Sequence, residues 1–357
     1  MPPVIRRALP YILLSLFCAL AIPRVSAQDH DYFVVGVHPN VVELVDGTTD
    51  QVVAHIQTKG RSPKELVPCP DGKHLFVTTD ARQNIEVINV ASRKVEDVIN
   101  LAPAGIRLHI YGLAVSRDGN RLYAHVKRIK TLPDEFLPLP NEIWSVDLKS
   151  RETKKVLEMP QGIVSLIAPK DPNRLVAWGR DIYIIDLAQG KIVDRIPLRT
   201  DLPPGTAALD TLPFFMQYEQ SGILSMPYYA NDPLSNKPVF GLANLEVDTG
   251  KFELMELGPP IPCYSSVISP DHKRAYLVMN QLVVVDLDQR KIVETRDTER
   301  TKYVANLTRD GKKLFLPSSG PFLDVYDTST LQRIHRIELS GDASVSQLRA
   351  LPRGTTP

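Results

Sequence analysis

Short apolar runs alternate with polar turns along most of the chain, and one phrase built this way occurs seven times. In LVVVDLDQRKIV (282–293), an apolar run ends at Asp286, a polar turn follows, and a second run begins at Lys291. Runs this short, bounded by turn residues, are typical of β-strands. The other copies are VELVDGTTDQVV (42–53), IEVINVASRKVE (85–96), IWSVDLKSRETKKV (143–156), IYIIDLAQGKIV (182–193), LANLEVDTGKFE (242–253) and LDVYDTSTLQRI (323–334).

A second phrase lies between these copies and predicts another pair of strands. It is a short apolar run, a polar turn and a second apolar run, as in LAVSRDGNRLYAH (113–125). Asp-Gly at 71–72, 118–119 and 310–311 suits a tight reversal, because glycine tolerates positive φ. Each repeat therefore has four strands, named A to D in chain order. The remaining copies are ELVPCPDGKHLFVT (65–78), SLIAPKDPNRLVAW (165–178), FFMQYEQSGILSM (214–226), SSVISPDHKRAYLV (265–278) and ANLTRDGKKLFLP (305–317).

The spacing of the repeats predicts an all-β fold, a seven-bladed β-propeller with four-stranded blades. The end of strand C recurs at intervals of 43, 58, 39, 62, 38 and 41 residues, a period typical of propellers. DYFVVGV (31–37) reads as a strand B without a strand A, and ASVSQLRAL (343–351) as a strand A without a strand B. We expect these N-terminal strands and this C-terminal strand to share one blade and close the ring.

The residue that ends strand C is an acid in six repeats and an asparagine in the seventh. Such side chains commonly accept hydrogen bonds from backbone N–H groups of the next turn, and we expect turn capping here rather than catalysis. They are Asp46, Asn89, Asp147, Asp186, Asp248, Asp286 and Asp327.

Two insertions account for the two long intervals between repeats. Residues 126–141 and 227–241 both lie between strands B and C, on the face that also carries the D-to-A connections. Long loops grouped on one face often carry function, although two surface excursions without function would fit the same pattern.

Composition and charge restrict the class of protein. Apolar residues make up 43% of the 357 residues, enough for a substantial core, and the net charge of +1 indicates neither nucleic acid nor an acidic membrane surface as a partner.

The N-terminus reads as an export signal of residues 1–27, which leaves 28–357 for the propeller. Arg6 and Arg7 precede the apolar run ALPYILLSLFCALAI, and VSA at 25–27 supplies small residues before a cut near Gln28. The alternative is an uncleaved anchor, but the run is shorter than the roughly 20 residues a spanning helix needs. We therefore expect a periplasmic protein with no membrane span after cleavage.

No short catalytic, cofactor-binding or metal-binding motif is present. The sequence lacks HExxH, CxxCH, GxSxG and GxGxxG, so we expect no catalytic, cofactor or metal residue in this chain. Cys69 and Cys263 would remain after cleavage, and because they lie in distant repeats we expect two buried free thiols rather than a bridge.

The repeats in general resemble those of YVTN-type bacterial propellers. Four segments more specifically resemble, in order and spacing, the β subunit of quinohemoprotein amine dehydrogenase. They are WGRDIYIIDLAQGKIVDRIPL (178–198), QYEQSGILSMPYYAND (217–232), GLANLEVDTGKFEL (241–254) and LSGDASVSQLRAL (339–351). The resemblance implies a periplasmic complex in which this chain carries no redox cofactor. A γ subunit would carry cysteine tryptophylquinone, and a di-haem cytochrome c α subunit would carry haem c. The complex would oxidise primary amines to aldehydes.

The resemblance also implies that the propeller seats the γ subunit and helps to form the substrate cavity. Aromatic residues suit a partly wet, partly covered surface. Our candidates for contact with the partner or the cavity are Phe136, Tyr228, Tyr229, Tyr264 and Tyr303.

Other functions stay open at this point. A stand-alone periplasmic YVTN-type propeller could act as a binding or assembly protein, or as a lactonase-like enzyme if ligands or a nucleophile converged on the central channel. The methylamine dehydrogenase heavy chain is a closely related alternative to the quinohemoprotein amine dehydrogenase β subunit.

Overall fold

The structure is a computed structural model that describes residues 30–344, 346–355 and 357. All its regular secondary structure is β-strand, arranged as seven antiparallel sheets. The predicted all-β, seven-bladed propeller is confirmed. The expected export signal, residues 1–27, lies outside the described residues.

The first three blades are formed largely by the N-terminal half of the chain. Blade 1 contains β1 (Tyr32–Val37), β2 (Val41–Asp46) and β3 (Gln51–Gln57). Blade 2 contains β4 (Leu66–Pro68), β5 (His74–Thr79), β6 (Asn84–Asn89) and β7 (Lys94–Asn100). Blade 3 contains β8 (Ile106–Val115), β9 (Arg121–Thr131), β10 (Phe136–Pro138), β11 (Asn141–Asp147) and β12 (Thr153–Met159).

Blades 4 to 7 follow in chain order. Blade 4 contains β13 (Ser165–Ile167), β14 (Arg174–Trp178), β15 (Ile182–Asp186) and β16 (Lys191–Ile196). Blade 5 contains β17 (Asp210–Thr211), β18 (Ile223–Asn231), β19 (Pro238–Glu246) and β20 (Phe252–Gly258). Blade 6 contains β21 (Ser265–Ile268), β22 (Arg274–Val278), β23 (Gln281–Asp286) and β24 (Lys291–Asp297). Blade 7 contains β25 (Asn306–Leu307), β26 (Lys313–Pro317), β27 (Phe322–Asp327) and β28 (Arg333–Glu338), and the last strand is β29 (Leu348–Ala350).

The ring closes by pairing the two ends of the chain, as the sequence predicts. Strand β29 pairs antiparallel with β1, with Val35 opposite Leu348 and Phe33 opposite Ala350. The rings of Phe33 and Phe315 then pack with centroids 4.6 Å apart, which joins blade 1 to blade 7. The closing blade therefore has the order β29-β1-β2-β3 and no separate edge at the chain ends.

The core consists of seven apolar clusters, each lying between two neighbouring blades. A blade covers its neighbours with both of its faces, so strands B and C are buried on both sides and read as continuous apolar runs. Strand D is the outer strand and keeps partly exposed residues, as in β24. This arrangement explains why the apolar runs of the sequence do not alternate with polar residues.

The repeated acids cap turns, as the sequence predicts, in most blades. The carboxylate of Asp46 accepts from Thr48 N at 2.8 Å and from Thr49 N at 3.4 Å, and that of Asp327 accepts from Thr330 N, three residues on, at 2.8 Å. The same bond occurs at Asn89, Asp147, Asp186 and Asp286. Asp248 is the exception, because strand C of this blade, β19, ends two residues earlier at Glu246. Asp248 instead accepts from the Lys170 backbone N–H of blade 4 at 2.9 Å.

The expected strand A of blade 5 differs from the observed one. The apolar segment 214–218 predicts a strand, but the ladder to β18 is made by Asp210 and Thr211, and residues 212–222 have no regular pairing. The backbone of this segment bonds to other blades instead. Ser165 of blade 4 donates to the Pro213 carbonyl, and Gln347 of blade 1 donates to the Phe214 carbonyl at 3.0 Å.

Residues 212–216 therefore cross the central channel, and we call them the plug. Phe215 packs against the cluster between blades 1 and 7. The side chain of Gln347 also accepts from Leu66 N of blade 2 at 3.1 Å. The plug is thus held by blades 1 and 4, and one of its anchors is itself held by blade 2.

Candidate functional site

The two faces of the ring differ in construction. The B-to-C and D-to-A connections form the insertion face, which includes residues 128–141 and 228–240. The A-to-B and C-to-D turns form the turn face, which includes residues 69–73, 168–173 and 247–251.

The two insertions are strands rather than loops. The first adds β10, which pairs with β9 through Phe136 opposite Thr131. The second simply lengthens β18 and β19 until Asn231 faces Pro238. Backbone pairing fixes the position of both insertions, so the insertion face presents a rigid surface.

Large apolar side chains are exposed on this face and on the plug. Phe136 is 62% exposed and Leu234 is 92% exposed. Leu137, at the middle of β10, is exposed as well, together with Leu212 and Phe214 of the plug. Outside this face and the plug, single apolar residues are also exposed on the outer strands, among them Val293 and Ile334.

The five aromatic candidates fall into four different environments. Phe136 lies in blade 3 beneath the guanidinium of Arg107, 5.6 Å from its ring centroid. Tyr264 and Tyr303 stack at 5.2 Å in adjacent D-to-A connections and are half-buried. Tyr228 is only 5% exposed and packs in the cluster between blades 4 and 5.

Tyr229 anchors the connection between blades 5 and 6. Its hydroxyl accepts from Cys263 N at 2.7 Å and donates to the Ile261 carbonyl at 2.9 Å. Burial raises the pKa of Tyr229 to about 12, so the phenol stays neutral and keeps its donor. Tyr229 therefore positions the chain just before Tyr264, while Tyr264 and Tyr303 present the more accessible aromatic surface.

A set of buried carboxylates holds the insertion face in place, and sequence reasoning missed it. Each lies within the first three residues of strand C or just before it. Glu86 accepts from Gly60 N at 2.6 Å, and Asp181 accepts from Leu198 N at 2.8 Å, so each fixes a D-to-A connection. The signal in the sequence is one acid inside or beside an apolar run. The set comprises Glu43, Glu86, Glu142, Asp181 and Asp324.

Asp324 carries the most deeply buried ion pair of the described residues. Its carboxylate binds the ammonium of Lys302, and both side chains have no exposed surface. Arg336 donates to the same carboxylate at 2.6 Å. Burial lowers the pKa of Lys302, and the charge and hydrogen bond of Asp324 partly offset this shift. Burial alone would raise the pKa of Asp324, but hydrogen bonds from Arg336 and Lys302 lower it below its usual value. The Asp324 carboxylate thus has two cationic partners, Lys302 and Arg336.

Beneath the plug, the central channel widens into a cavity of about 530 Å³. Its lining includes Met216 next to the plug and Lys170 and Asp248 of the turn face. The plug bounds the cavity on the insertion-face side, and the mouth lies among residues of the turn face. The cavity and the exposed apolar groups thus belong to opposite faces.

The charged side chains in the inner part of the cavity form ion pairs. Arg349 binds the carboxylate of Glu219 and donates to the Leu66 carbonyl at 3.2 Å, and its guanidinium lies 5.5 Å from the Tyr218 ring centroid. Glu65 accepts from Leu113 N at 2.8 Å and pairs with Arg82 at 3.1 Å. Burial still raises the pKa of Glu65 above its usual range.

The mouth of the cavity has more positive than negative charge. Asp248 lies 2.7 Å from the Lys170 ammonium and 3.6 Å from the Arg117 guanidinium, so one carboxylate serves two cations. Arg353 adds a third, exposed cation that forms no ion pair with the rest of the described chain. The pKa of Asp248 lies below its usual value. Burial alone would raise it, but hydrogen bonds from Lys170 and the charges of Lys170 and Arg117 outweigh that effect.

Cys69 and Cys263 are buried free thiols, which confirms the sequence expectation. Burial raises the pKa of each thiol to about 12, so neither is a reactive thiolate. Within residues 30–344, 346–355 and 357, side chains form no cluster of three potential metal ligands. The same residues include no helix with the length and apolar content required to cross a membrane.

Comparison with solved structures gives similar folds. The chain is similar to Kuenenia stuttgartiensis hydrazine synthase, with a TM-score of 0.56 and 16% identity over 82% of this chain and 90% of that chain. It is similar to dihydro-heme d1 dehydrogenase NirN in complex with DHE, with a TM-score of 0.54 and 15% identity over 90% and 75%. A functionally unknown protein from Desulfotomaculum acetoxidans DSM 771 gives a TM-score of 0.59 and 12% identity over 90% and 99%.

At sequence identities of 12–16%, these similarities concern the fold alone. The chain matches no protein-family model, and a search of curated proteins gives no match.

Proposed function

We propose that this chain is the non-catalytic propeller subunit of a periplasmic quinohemoprotein amine dehydrogenase. Its insertion face would seat a small subunit with cysteine tryptophylquinone and form part of the cavity for a primary amine. A di-haem cytochrome c subunit would receive the electrons. The observation that carries the proposal is the rigid insertion face with its exposed apolar side chains, Phe136, Leu137 and Leu234.

The construction of this face supports docking. Strand pairing holds β10 and the β18–β19 ribbon, and buried carboxylates hold D-to-A connections on the same face. A surface fixed before binding loses little conformational entropy when a partner covers it. The resemblance of the four sequence segments, and the occurrence of similar folds in redox proteins, support the assignment to an amine dehydrogenase.

The test is purification of the tagged chain from the periplasm of its own host. We expect it to co-purify with a haem-staining band and a quinone-staining band, and the complex to oxidise primary amines. The isolated chain should be colourless and inactive towards amines. Visible haem or quinone absorbance in the single chain would contradict the proposal, as would purification without either band.

Variants of the insertion face make the test specific. Replacing Phe136 and Leu137 by serine should remove both bands, because central interface residues commonly contribute about 2 kcal/mol or more each. Val293→Ser and Ile334→Ser are the control, since these exposed apolar residues lie on outer strands β24 and β28. If the control variant loses the bands equally, the docking surface lies elsewhere on the ring.

The aromatic candidates need different substitutions according to their burial. Tyr264→Ala with Tyr303→Ala removes a half-buried stacked pair and should raise the apparent KM for amine or weaken assembly. Alanine at Tyr228 would instead report on folding, because that ring lies in the core between blades. Normal assembly and turnover of the Tyr264/Tyr303 variant would place the amine cavity away from this pair.

The cavity of the turn face favours a second candidate, a stand-alone binding propeller. Such a protein would bind a small molecule without any partner. Purification as a single chain from the host periplasm, with specific ligand binding, would favour this function over the first.

A further inference from the structure

The cavity beneath the plug has the construction of a ligand site, and no part of the proposed amine chemistry uses it. Its volume of about 530 Å³ lies within the roughly 300–1,000 Å³ of small-molecule sites. It is enclosed on the insertion-face side by the plug. A ligand would therefore enter from the turn face, opposite to the proposed docking surface.

Part of the cavity wall is apolar. Val67, Leu113 and Val115 line it on the side of blades 2 and 3, while Leu166 and Met216 line it on the side of blades 4 and 5. These side chains come from strands or segments at the centre of the ring, where packing fixes them. Burying an apolar group against them gains about 25 cal/mol for each Å² removed from water.

The charged groups in the inner part of the cavity already have partners, so a charge on the ligand would gain little there. Arg349 is already neutralised by Glu219, and Glu65 is paired with Arg82 and bonded to backbone N–H groups. A ligand charge placed there would compete with existing buried pairs. The uncharged end of a ligand is therefore the end that fits the interior.

The mouth has the opposite character. Lys170 is 77% exposed and Arg117 is 43% exposed, and the two share the single carboxylate of Asp248. Arg353, from the segment after β29, contributes a further positive charge without a counter-ion in the described chain. The three cations and one anion give the mouth a net charge of +2, which attracts an anionic head group.

We propose that this cavity binds an organic carboxylate with an apolar chain or ring, its carboxylate at the mouth and its apolar part between the blades. Arg353, Lys170 and Arg117 hold the carboxylate. The proposal does not depend on the amine dehydrogenase assignment, since the cavity opens on the other face and all its lining residues belong to this chain.

The first experiment uses the purified chain and four probes in calorimetric titration. Octanoate should bind, whereas acetate lacks the apolar part, octanamide lacks the charge and octylammonium has the opposite charge. We expect these three to bind at least tenfold more weakly. Because salt screens charges over about 10 Å at 0.1 M, raising NaCl to 0.5 M should weaken octanoate binding several-fold. Equal affinity for octanoate and octanamide would overturn the anionic class, and no octanoate binding would overturn the site.

Charge variants at the mouth provide the second experiment. Arg353→Gln should weaken octanoate binding about 2- to 5-fold, as expected for one exposed ion pair, and adding Lys170→Gln should bring the loss to about tenfold. Lys149→Gln is the matched control, because Lys149 is an exposed cation in a turn of blade 3 on the same face and does not line the cavity. An equal effect of the control would show attraction by general charge, which contradicts a defined site.

A labelling experiment locates the ligand. Lys170→Cys introduces an accessible thiol at the mouth, while the two native thiols are buried. Saturating octanoate should slow alkylation of this cysteine by iodoacetamide several-fold and leave a Lys149→Cys variant unaffected. Unchanged alkylation at position 170, despite calorimetric binding, would place octanoate elsewhere and overturn the proposal.

Discussion

The two faces of this propeller are made from the same repeats, but their connections are stabilised in different ways. The turn face ends each blade with tight reversals, most of them capped by one Asp or Asn of the repeat itself. The insertion face carries longer connections, which are held by carboxylates buried at the start of strand C. Regular turns need only local hydrogen bonds, whereas long connections need partners from elsewhere in the fold.

The plug separates the two faces functionally. Exposed apolar groups lie on the insertion face, and the cavity with a cationic mouth lies on the turn face. A protein partner and a small ligand could thus bind this ring at the same time without contact.

The largest effect is expected from deletion of residues 343–357. This removes β29, opens the edge of β1 and takes away Gln347 and Arg349, so the free energy of unfolding should fall by more than about 4 kcal/mol. Chemical denaturation measures this loss. Deletion of residues 353–357 is the control, because it keeps β29 and should mainly weaken octanoate binding through loss of Arg353. If the longer deletion unfolds like the intact chain, the closure is wrong.

Removal of the buried acid on the insertion face comes next. Asp324→Ala leaves the Lys302 ammonium buried without its counter-ion, which should cost about 3–5 kcal/mol of unfolding free energy. Glu299→Ala removes an exposed partner of Arg333 and Arg336, so its effect should be far smaller. Replacing both members, Lys302→Met with Asp324→Leu, should recover most of the loss. A small effect of Asp324→Ala alone would show that Lys302 loses its proton at little cost.

The plug should loosen when its anchor in blade 1 is removed. Gln347→Ala leaves the Phe214 carbonyl and the Leu66 N–H without partners, at about 1–3 kcal/mol. Hydrogen exchange should become faster at Phe214, Phe215 and Met216, while β22 and β23 keep their protection. Unchanged exchange in the plug would mean that Ser165 and packing suffice to hold it.

The smallest effect is expected at a capped turn. Asp46→Ala removes the acceptor of Thr48 N and Thr49 N and should cost about 1–2 kcal/mol. Burial opposes ionisation of Asp46, but bonds from Thr48 and His30 keep its pKa below the usual value. Its contribution is therefore present above pH about 4 and is lost as the pH falls through the lower folded pKa. Unfolding free energies measured from pH 5 to 2 should decline less in the variant than in the native chain.

The fold was predictable because the pattern that encodes it is local and repeated. Asp-Gly reversals and short apolar runs determine each blade, and the unmatched strands at the two ends reveal how the ring closes. Capping by the repeated acids followed from the same local chemistry. Only Asp248 differs, because it lies two residues after the end of β19, where its partner Lys170 comes from the neighbouring blade. Interactions between blades leave no regular mark in the sequence.

The plug and the environments of the tyrosines show the same limit. FFMQY at 214–218 has the apolar content of a strand, yet its backbone partners are Ser165 and Gln347, which no local pattern indicates. Tyr228 and Tyr229 are adjacent in β18, so their side chains point to opposite faces of the blade. One of them had to enter the core between blades 4 and 5, and strand alternation could have identified that residue.

The pairing of β29 with β1 has a consequence for the order of events during synthesis. About 310 residues separate Val35 from its partner Leu348. At a ribosomal rate of about 5–20 residues per second, the first strand waits roughly 15–60 s for the strand that covers its edge. Throughout that interval YFVVGV is an apolar strand with unpaired backbone groups, a template for pairing with another chain. A nascent copy of this protein is therefore most vulnerable to aggregation at its first blade, and that vulnerability ends only when the last strand has been made.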